Sequence, residues 1–247
     1  MTSDLVKLNR INQINLSTYH LHSQTFPPFK AIHQGANIYL VASGVSAQLV
    51  VNNKGILEDP EGIYIGVNRA FQIGNYAFPF NYVFIQDYSG KTQEYIDDLD
   101  NYRPYECQKF YGLTTEWSYD PERTIPESHA IKANALRYRT DWAQIDGFEP
   151  QFAYDLATQP LGCFGSIVFP ALQFALWTYP SKIFLIGCDC TTSGYAYDPN
   201  DKNFLVPDRI IAAYKKFKAF ARKYYPDVEI ISINPVGLKG VFKDVTM

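Results

Sequence analysis

The sequence predicts an α/β protein with a mainly parallel, Rossmann-like sheet flanked by helices. Five short runs rich in β-branched and aromatic residues have the length of strands, and continuous apolar runs are typical of strands buried on both faces. An amphipathic helical pattern separates the last two runs. This alternation of strand and helix indicates crossover connections in a parallel sheet.

The predicted elements follow one another in a simple order. The strands span 37–42, 62–67, 82–86, 182–187 and 228–233. An apolar stretch over about 165–177 predicts a buried helix before the fourth strand, and Pro170 indicates a late start or a kink. Between the fourth and fifth strands, apolar residues recur at spacings of four and three: Ile210, Tyr214, Phe217, Ala221 and Tyr224. This spacing predicts a crossover helix packed on the sheet.

We expect a single domain, because 247 residues are enough to bury a sizeable core. Segments 37–88 and 159–247 hold the predicted strands and form the α/β core. The segment 89–158 is rich in Tyr, Arg, Asp and Pro with weak periodicity, so it is expected to form a lid or small subdomain of helices and loops. Residues 1–36, which contain Phe26-Pro-Pro-Phe29, are interpreted as an amino-terminal arm.

Charge and composition exclude several classes of protein. The chain has 22 Lys and Arg against 25 Asp and Glu, a net charge of −3, so nucleic acid is not an expected partner. No apolar run approaches the roughly 20 residues of a membrane helix, and the amino terminus has no secretory signal. A cytoplasmic location is therefore expected. The four cysteines are irregularly spaced, which favours reduced thiols over a zinc site.

Ligands of open α/β sheets bind beyond the carboxyl ends of the strands, so the residues that follow each strand are candidates. The first strand is followed by Ser43-Gly-Val-Ser46, a turn that suits a phosphate or a ribose or serves only as a connection. It is neither a dinucleotide-binding Gly-x-Gly-x-x-Gly pattern nor a Walker loop. A second small turn ends in Gly165-Ser166 and either binds an anion or caps the buried helix.

Further polar residues follow other predicted strands. Asn68 can read the edge of a base or sugar, or it can simply turn the chain. Asp87 and Asp189 are candidates for an acid or base, a nucleophile or an acceptor from sugar hydroxyls, or they cap neighbouring loops. The run Asp97-Asp98-Leu-Asp100 resembles a metal-binding pattern, but its helix-like sequence favours a solvated helix face.

The stretch from Gly165 to Asp189, with the following Ser193-Gly-Tyr-Ala-Tyr-Asp198, carries a family resemblance. It resembles the single-domain bacterial sialyltransferases that use CMP-sialic acid. The wider superfamily contains motility-associated flagellin glycosyltransferases and 6-hydroxymethylpterin diphosphokinase-like proteins. The turn at 41–46 and the strand end at 66–69 are similar to the family as well. The resemblance covers 37–90 and 160–240 and implies a GT-A-like variant of the α/β fold.

The resemblance implies a set of binding residues. They follow three strands or open the buried helix: Ser43, Gly44, Ser46, Asn68, Gln86, Asp87, Gly165 and Ser166. Those after the first strand would lie against the nucleotide, and those after the second and third strands would contact the cytidine or its ribose. The pair that opens the helix would lie beside the activated sugar and its phosphate.

Hydroxyl groups would stabilise the leaving phosphate. Tyr195 falls on one of two family tyrosines that stabilise the departing CMP phosphate, and Thr191 falls on the other. Tyr197 is a further binding candidate.

The catalytic base departs from the family pattern. Inverting members place a His before the last crossover helix, whereas the corresponding segment here reads Val206-Pro-Asp208. His129, in the segment predicted as a lid, and Asp208 are the remaining candidates for the base. A retaining enzyme would instead use Asp87 or Asp189 as the nucleophile.

These residues and the family resemblance together predict a metal-independent glycosyltransferase without a cofactor. It would move a 2-keto sugar acid, such as sialic acid or Kdo, from its CMP-activated form to a glycan or lipid-linked glycan acceptor in bacterial surface polysaccharide synthesis. The alternatives are a Mg-ATP-dependent diphosphokinase of the 6-hydroxymethylpterin type and a non-catalytic nucleotide or glycan binder. The basic face of the last helix either touches the anionic inner membrane or is solvated. The sequence leaves the oligomeric state open, a homo-oligomer included.

Overall fold

The structure is a computed structural model, and it describes residues 17–53, 59–113, 123–141, 151–198, 200 and 207–247. The described strands form one sheet in which every pairing is parallel. They are β1 (Asn37–Val41), β2 (Ile63–Val67), β3 (Tyr82–Ile85), β4 (Gln108–Leu113), β5 (Leu136–Asp141), β6 (Leu161–Gly162), β7 (Lys182–Ile186), β8 (Glu229–Ile233) and β9 (Lys243–Val245). Their order across the sheet is β6-β5-β4-β3-β2-β1-β7-β8-β9.

The predicted α/β class is confirmed. All five predicted strands are present, as β1, β2, β3, β7 and β8, with bounds that differ from the prediction by one residue at one end. Their side chains alternate between two cores: in β1, Ile38 and Leu40 pack on one face, whereas Tyr39 and Val41 pack on the other. Because both faces are covered, these strands are mainly apolar.

Helices cover both faces of the sheet. Those described are α1 (17–25), α2 (Ala47–Asn52), α3 (Gly90–Gln93), α4 (Ile96–Asn101), α5 (Glu127–Lys132), α6 (Val168–Trp177) and α7 (Pro207–Tyr224), with short 3-10 helices at Pro27–Phe29 and Asn68–Gln72. Apolar residues of α6 and α7 belong to the first core, and those of α2, α4 and α5 belong to the second.

The two predicted helices agree with the structure. The helix α6 begins at Val168 and holds Pro170 in its first turn, which confirms the late start. The apolar face of α7 leaves Tyr224 41% exposed, and the following residue, Tyr225, is buried instead.

The prediction of a lid over 89–158 is wrong for much of that segment. It contributes β4 and β5 to the sheet, paired with β3 and with each other. Charged residues interrupt the apolar pattern of these strands, notably Lys109 in β4 and Arg137 and Arg139 in β5. Lys109 is nevertheless fully buried.

The prediction of an amino-terminal arm is also wrong for the residues that the structure describes, because residues 17–29 pack into the first core. Phe26 is fully buried, and its ring stacks on Phe110 at 5.7 Å between centroids. The indole of Trp177 donates a hydrogen bond to the Phe26 carbonyl at 3.0 Å. A largely polar segment thus contributes its few large apolar side chains to the core.

The strand order reverses between β1 and β7. From β1, the chain first builds the sheet outward through β2 to β6, and it then returns to the other side of β1 with β7, β8 and β9. Loops that leave β1 and β7 therefore diverge to opposite sides, which opens a crevice at the carboxyl ends of these strands.

The helices among the described residues include none that is both long enough and apolar enough to cross a membrane.

Candidate functional site

The crevice between β1 and β7 is the candidate functional site. Small, polar and apolar residues from the strand ends, α6, α7 and the loop after β7 line it: Ala42, Ser43, Gly44, Val67, Asn68, Ser166, Ile167, Val168, Gly187, Cys188, Asp189, Cys190, Thr191, Ser193, Gly194, Tyr195, Ile210 and Tyr214. Hydroxyls and amides thus supply most of its polar groups.

Two glycines bring the strand ends together at the floor of this crevice. The Gly44 amide donates a hydrogen bond to the Gly187 carbonyl at 2.8 Å. A Cβ on Gly44 would lie 2.4 Å from that carbonyl oxygen, and a Cβ on Gly187 would lie 2.3 Å from the Ala42 carbonyl oxygen. Only glycine permits this close approach, which explains why a glycine follows Ser43 in the turn after β1.

Asp189 holds the turn after β1 in place. One of its carboxylate oxygens accepts a hydrogen bond from the Ser46 amide at 2.9 Å, and the other accepts one from the Ser46 hydroxyl. Asp189 is only 5% exposed. Both carboxylate oxygens are therefore engaged within the protein, which is the loop-capping role that the sequence left open.

The thiols in the crevice carry no charge at neutral pH. Burial raises the pKa of Cys190 to about 12 and raises the pKa of Cys188 further above its ordinary range. Burial also raises the pKa of the Tyr214 phenol. Among the described lining residues, Asp189 is thus the one negatively charged side chain.

The segment 193–198 closes one side of the crevice. Tyr195 forms an isolated antiparallel bridge with Gly44, and the Ala196 amide donates to the Ser43 carbonyl at 2.9 Å. The rings of Tyr195 and Tyr197 stack at 5.1 Å with an interplanar angle of 7°. Backbone hydrogen bonds to the turn after β1 therefore position the tyrosine pair, Tyr195 and Tyr197, beside the crevice.

Two cations, which sequence reasoning did not assign to the site, lie against this tyrosine pair. The Arg69 guanidinium lies 4.8 Å from the centroid of Tyr197, and the Lys91 ammonium lies 5.4 Å from that of Tyr195. Arg69 directly follows the lining residue Asn68, which could have drawn attention to it. Lys91 has no comparable sequence signal, because it meets Tyr195 only in the folded chain.

Seven predicted site residues come together in the crevice lining. They are Ser43, Gly44, Asn68, Ser166, Asp189, Thr191 and Tyr195. Ser166 has a second role, since its hydroxyl accepts a hydrogen bond from the Val168 amide at 3.4 Å at the start of α6. Three more predicted residues adjoin the lining: Ser46 through Asp189, Gly165 next to Ser166, and Tyr197 stacked on Tyr195.

Gln86 and Asp87 lie outside the crevice lining. Gln86 is buried inside the sheet, where it accepts a hydrogen bond from the Cys163 thiol at 3.0 Å and donates to Thr140 at 3.4 Å. Asp87 forms an ion pair with Arg123 at 2.6 Å. The structural reason is that two strands, β2 and β1, separate β3 from β7, so the carboxyl end of β3 does not border the switch point.

His129 belongs to a separate polar cluster. Its Nδ1 lies 2.6 Å from Asp100, whose other carboxylate oxygen accepts a hydrogen bond from the Tyr111 hydroxyl at 2.7 Å. Asp100 is 1% exposed, so the prediction of a solvated helix face is wrong for this residue, although Asp97 and Asp98 are exposed. This polar cluster therefore anchors α4 and α5 to β4.

Part of this cluster contains side chains that could hold a metal ion. Asp97, Asp100 and His129 each offer one ligand atom, and these atoms lie within 4.8 Å of one another. The Lys132 ammonium already lies 2.8 Å from Asp97 and 3.7 Å from Asp100. The protein thus supplies its own cation to these carboxylates, and we assign them a structural role.

Asp208 lies in the first turn of α7, where its side chain is exposed. It is absent from the crevice lining, whereas Ile210 and Tyr214 of the same helix contribute to it. Val206, which directly precedes the helix, lies outside the described residues.

Comparison with known proteins concerns the fold. No family model matches the sequence, and no curated protein matches it. Among solved structures, the chain is similar to the MAf glycosyltransferase from Magnetospirillum magneticum AMB-1, with a TM-score of 0.54 and 10% sequence identity over 96% of this chain. The chain spans 38% of the length of that protein. At this identity, the similarity shows a shared α/β fold.

Proposed function

We propose that the protein is a glycosyltransferase that transfers a 2-keto sugar acid from a CMP-activated donor to a glycan or lipid-linked glycan acceptor. The observation that carries this proposal is the crevice at the β1/β7 switch point, in which seven predicted binding and catalytic residues meet. The fold that the chain shares with a MAf glycosyltransferase supports the general class.

The chemistry of such a transfer suits the groups in the crevice. The transition state resembles an oxocarbenium ion, and the leaving group is a phosphate that gains negative charge as the glycosidic bond breaks. The hydroxyls of Ser43, Thr191 and Tyr195 can donate hydrogen bonds to that phosphate. We propose that these groups act without a metal ion.

Asp189 has a positioning role in this proposal. Its carboxylate fixes the Ser46 amide and hydroxyl, and it packs against Gly44. It thereby holds the turn against which the nucleotide would lie.

A thermal-shift experiment with nucleotides tests the proposed function. The protein would be heated with CMP, CDP, UDP, GDP or ATP, each with and without Mg²⁺. Ligands that bind the native state raise Tm by mass action, so we expect CMP to stabilise the protein without metal. A response confined to ATP with Mg²⁺ would contradict the proposal and favour a diphosphokinase.

Tyr195→Phe tests the chemistry itself. If the Tyr195 hydroxyl stabilises the departing phosphate, its loss should lower kcat by about 100-fold or more while changing the Kd for CMP much less. Turnover of a CMP-activated sugar acid and calorimetric titration with CMP measure the two quantities. Unchanged turnover would remove Tyr195 from the mechanism.

Tyr224→Phe is the matched control for that variant. Tyr224 also stacks on a second tyrosine, Tyr154, at 5.5 Å with an interplanar angle of 12°, and Lys223 lies over its ring at 4.8 Å. It lies at the end of α7, outside the crevice lining. We expect wild-type kcat, because the control removes the same hydroxyl from an equivalent stack elsewhere.

A further inference from the structure

Two cationic side chains, Arg69 and Lys91, contact the tyrosine pair beside the crevice, and the described lining of the crevice contains no cation. Among the described lining residues there is one carboxylate, Asp189, and there is neither Lys nor Arg. A nucleotide bound there would bring at least one negatively charged phosphate into a site that already holds a negative charge. Cations close to the crevice are therefore needed to offset the repulsion.

Arg69 and Lys91 are placed to supply this charge. Both contact the same tyrosine pair, whose stacked rings are 5.1 Å apart, and Tyr195 itself lines the crevice. The two cations arrive from different elements, Arg69 from the turn after β2 and Lys91 from α3. They converge only because the segment 193–198 is bound to the turn after β1.

Arg69 is held in a fixed orientation. Its guanidinium lies 5.3 Å from the Tyr95 centroid as well as 4.8 Å from the Tyr197 centroid. Its Nε donates to Gln72 at 2.9 Å, and its Nη1 lies 3.2 Å from Glu94. A guanidinium has five N–H donors, so this arrangement leaves donors for an anion while the side chain is already ordered.

Building on the proposed function, we propose that Arg69 and Lys91 form an anion-binding pair that holds the phosphate of the nucleotide donor at the rim of the crevice. The tyrosine pair orders both cations before the ligand arrives, which reduces the entropy lost on binding. Neither residue belongs to the set that the family resemblance assigned. The pair would supply positive charge to the phosphate, to which the hydroxyls of Ser43, Thr191 and Tyr195 also donate in the proposed function. Other lining groups would recognise the nucleoside and the sugar.

The test compares each nucleotide with its own nucleoside, so that the phosphate is the variable. Affinities of CMP against cytidine, UDP against uridine and GDP against guanosine would be measured by calorimetric titration for the wild type, Arg69→Met and Lys91→Met. Methionine keeps the apolar contact with the ring and removes the charge. We expect the nucleotide-to-nucleoside affinity ratio to fall by about tenfold in each variant, because a charge-assisted hydrogen bond is lost.

Lys30→Met is the matched control. The Lys30 ammonium lies over the ring of Trp177 at 4.8 Å, a comparable cation–π contact outside the crevice lining. This variant should keep the wild-type affinity ratio. Thermal melts of all variants show whether each is folded, and Lys91→Gln provides a second substitution on the short helix.

The possible outcomes separate the two proposals. An unchanged affinity ratio in both rim variants, with the wild type binding CMP, would overturn the anion-binding pair and leave the proposed function standing. A wild-type protein that binds none of these nucleotides would overturn the proposed function and the pair together. A ratio that falls in the rim variants and not in Lys30→Met supports the pair.

Discussion

Gly44 lies where the ends of β1 and β7 come closest. A Cβ at this position would lie 2.4 Å from the Gly187 carbonyl oxygen and 2.5 Å from the carboxyl carbon of Asp189. Neither a backbone carbonyl nor a buried, hydrogen-bonded carboxylate moves aside easily, so Gly44→Ala should lower the free energy of unfolding by about 1–3 kcal/mol. Urea denaturation measures this loss, and nucleotide binding should weaken in the same variant.

Gly90→Ala is the control for this substitution. Gly90 begins α3, and a Cβ there would meet no atom within 4 Å. Alanine favours the helix relative to glycine by up to about 1 kcal/mol, so stability should be unchanged or slightly higher. Equal losses in the two variants would contradict the close approach at the crevice floor.

At the scale of elements, α1 closes an edge of the sheet. The strand β6 pairs with only the last two residues of β5, so among the described strands none pairs with the backbone of Arg137 and Arg139 on that side. The Thr25 hydroxyl donates to the Arg137 carbonyl at 2.6 Å, and the Arg139 amide donates to Nδ1 of His22 at 3.1 Å. Side chains of α1 thus replace the missing ladder bonds.

This arrangement requires a neutral His22. Nε2 donates to the Gln159 carbonyl at 2.8 Å, so Nδ1 is left as the acceptor for the Arg139 amide. A second proton would occupy Nδ1 and break that bond. Burial lowers the pKa of His22 from its ordinary value of 6.5 to about 4.

We therefore expect stability to fall as the solution is acidified. Between pH 6.5 and about 4 the unfolded chain protonates His22 and the folded chain does not, so the loss begins near pH 6.5 and is complete below about 4. The difference in pKa corresponds to about 3 kcal/mol. Urea titrations across this range should show a smaller pH slope for His22→Gln than for the wild type.

His20→Gln checks that this slope belongs to the buried ring. His20 lies on the same helix and is exposed, with its ring nitrogen 3.2 Å from the amide of Gln24. The His20 variant should keep the wild-type slope. A slope that is unchanged in His22→Gln would instead assign the acid sensitivity to other groups.

At the scale of the whole molecule, two cores on opposite faces of one sheet hold the chain together. The first core extends from α6 and α7 to Phe26, whose ring contacts His22, Phe110, Tyr138 and Phe174 at centroid distances of 5.4–6.2 Å. We expect Phe26→Ala to lower the free energy of unfolding by about 3–5 kcal/mol, because a large buried ring is removed. Chemical denaturation measures this change.

Tyr105→Ala is the matched surface control. Tyr105 is 97% exposed, so its truncation should change stability by less than about 0.5 kcal/mol. A similarly small effect in Phe26→Ala would mean that residues 17–29 are a dispensable arm after all.

Much of the fold could be predicted because its central strands are covered on both faces. In β1, β2, β3, β7 and β8 this burial favours runs of mainly apolar residues, which are visible in a single sequence. The strands β4 and β5 were missed because Lys109, Arg137 and Arg139 break that pattern. Their positions depend on neighbouring strands and on α1, which are distant in the sequence.

The candidate site was predicted where it lies at the ends of visible strands. Asn68 and Asp189 follow strands that border the crevice, and the structure brings them together. Gln86 and Asp87 follow a predicted strand too, yet β3 lies away from the switch point. Strand order separates these cases, and apolar periodicity carries no information about strand order.

The sequence by itself determined the α/β class, the five central strands and the chemical character of the crevice, because burial and strand termination leave local signals. Only the tertiary structure decided which strand ends meet, that both oxygens of Asp189 are bound by Ser46, and that His129 is held by Asp100. It also brought Arg69 and Lys91 to one tyrosine pair. These contacts join residues far apart in the chain, and they form only when the sheet and the two cores on its faces have assembled.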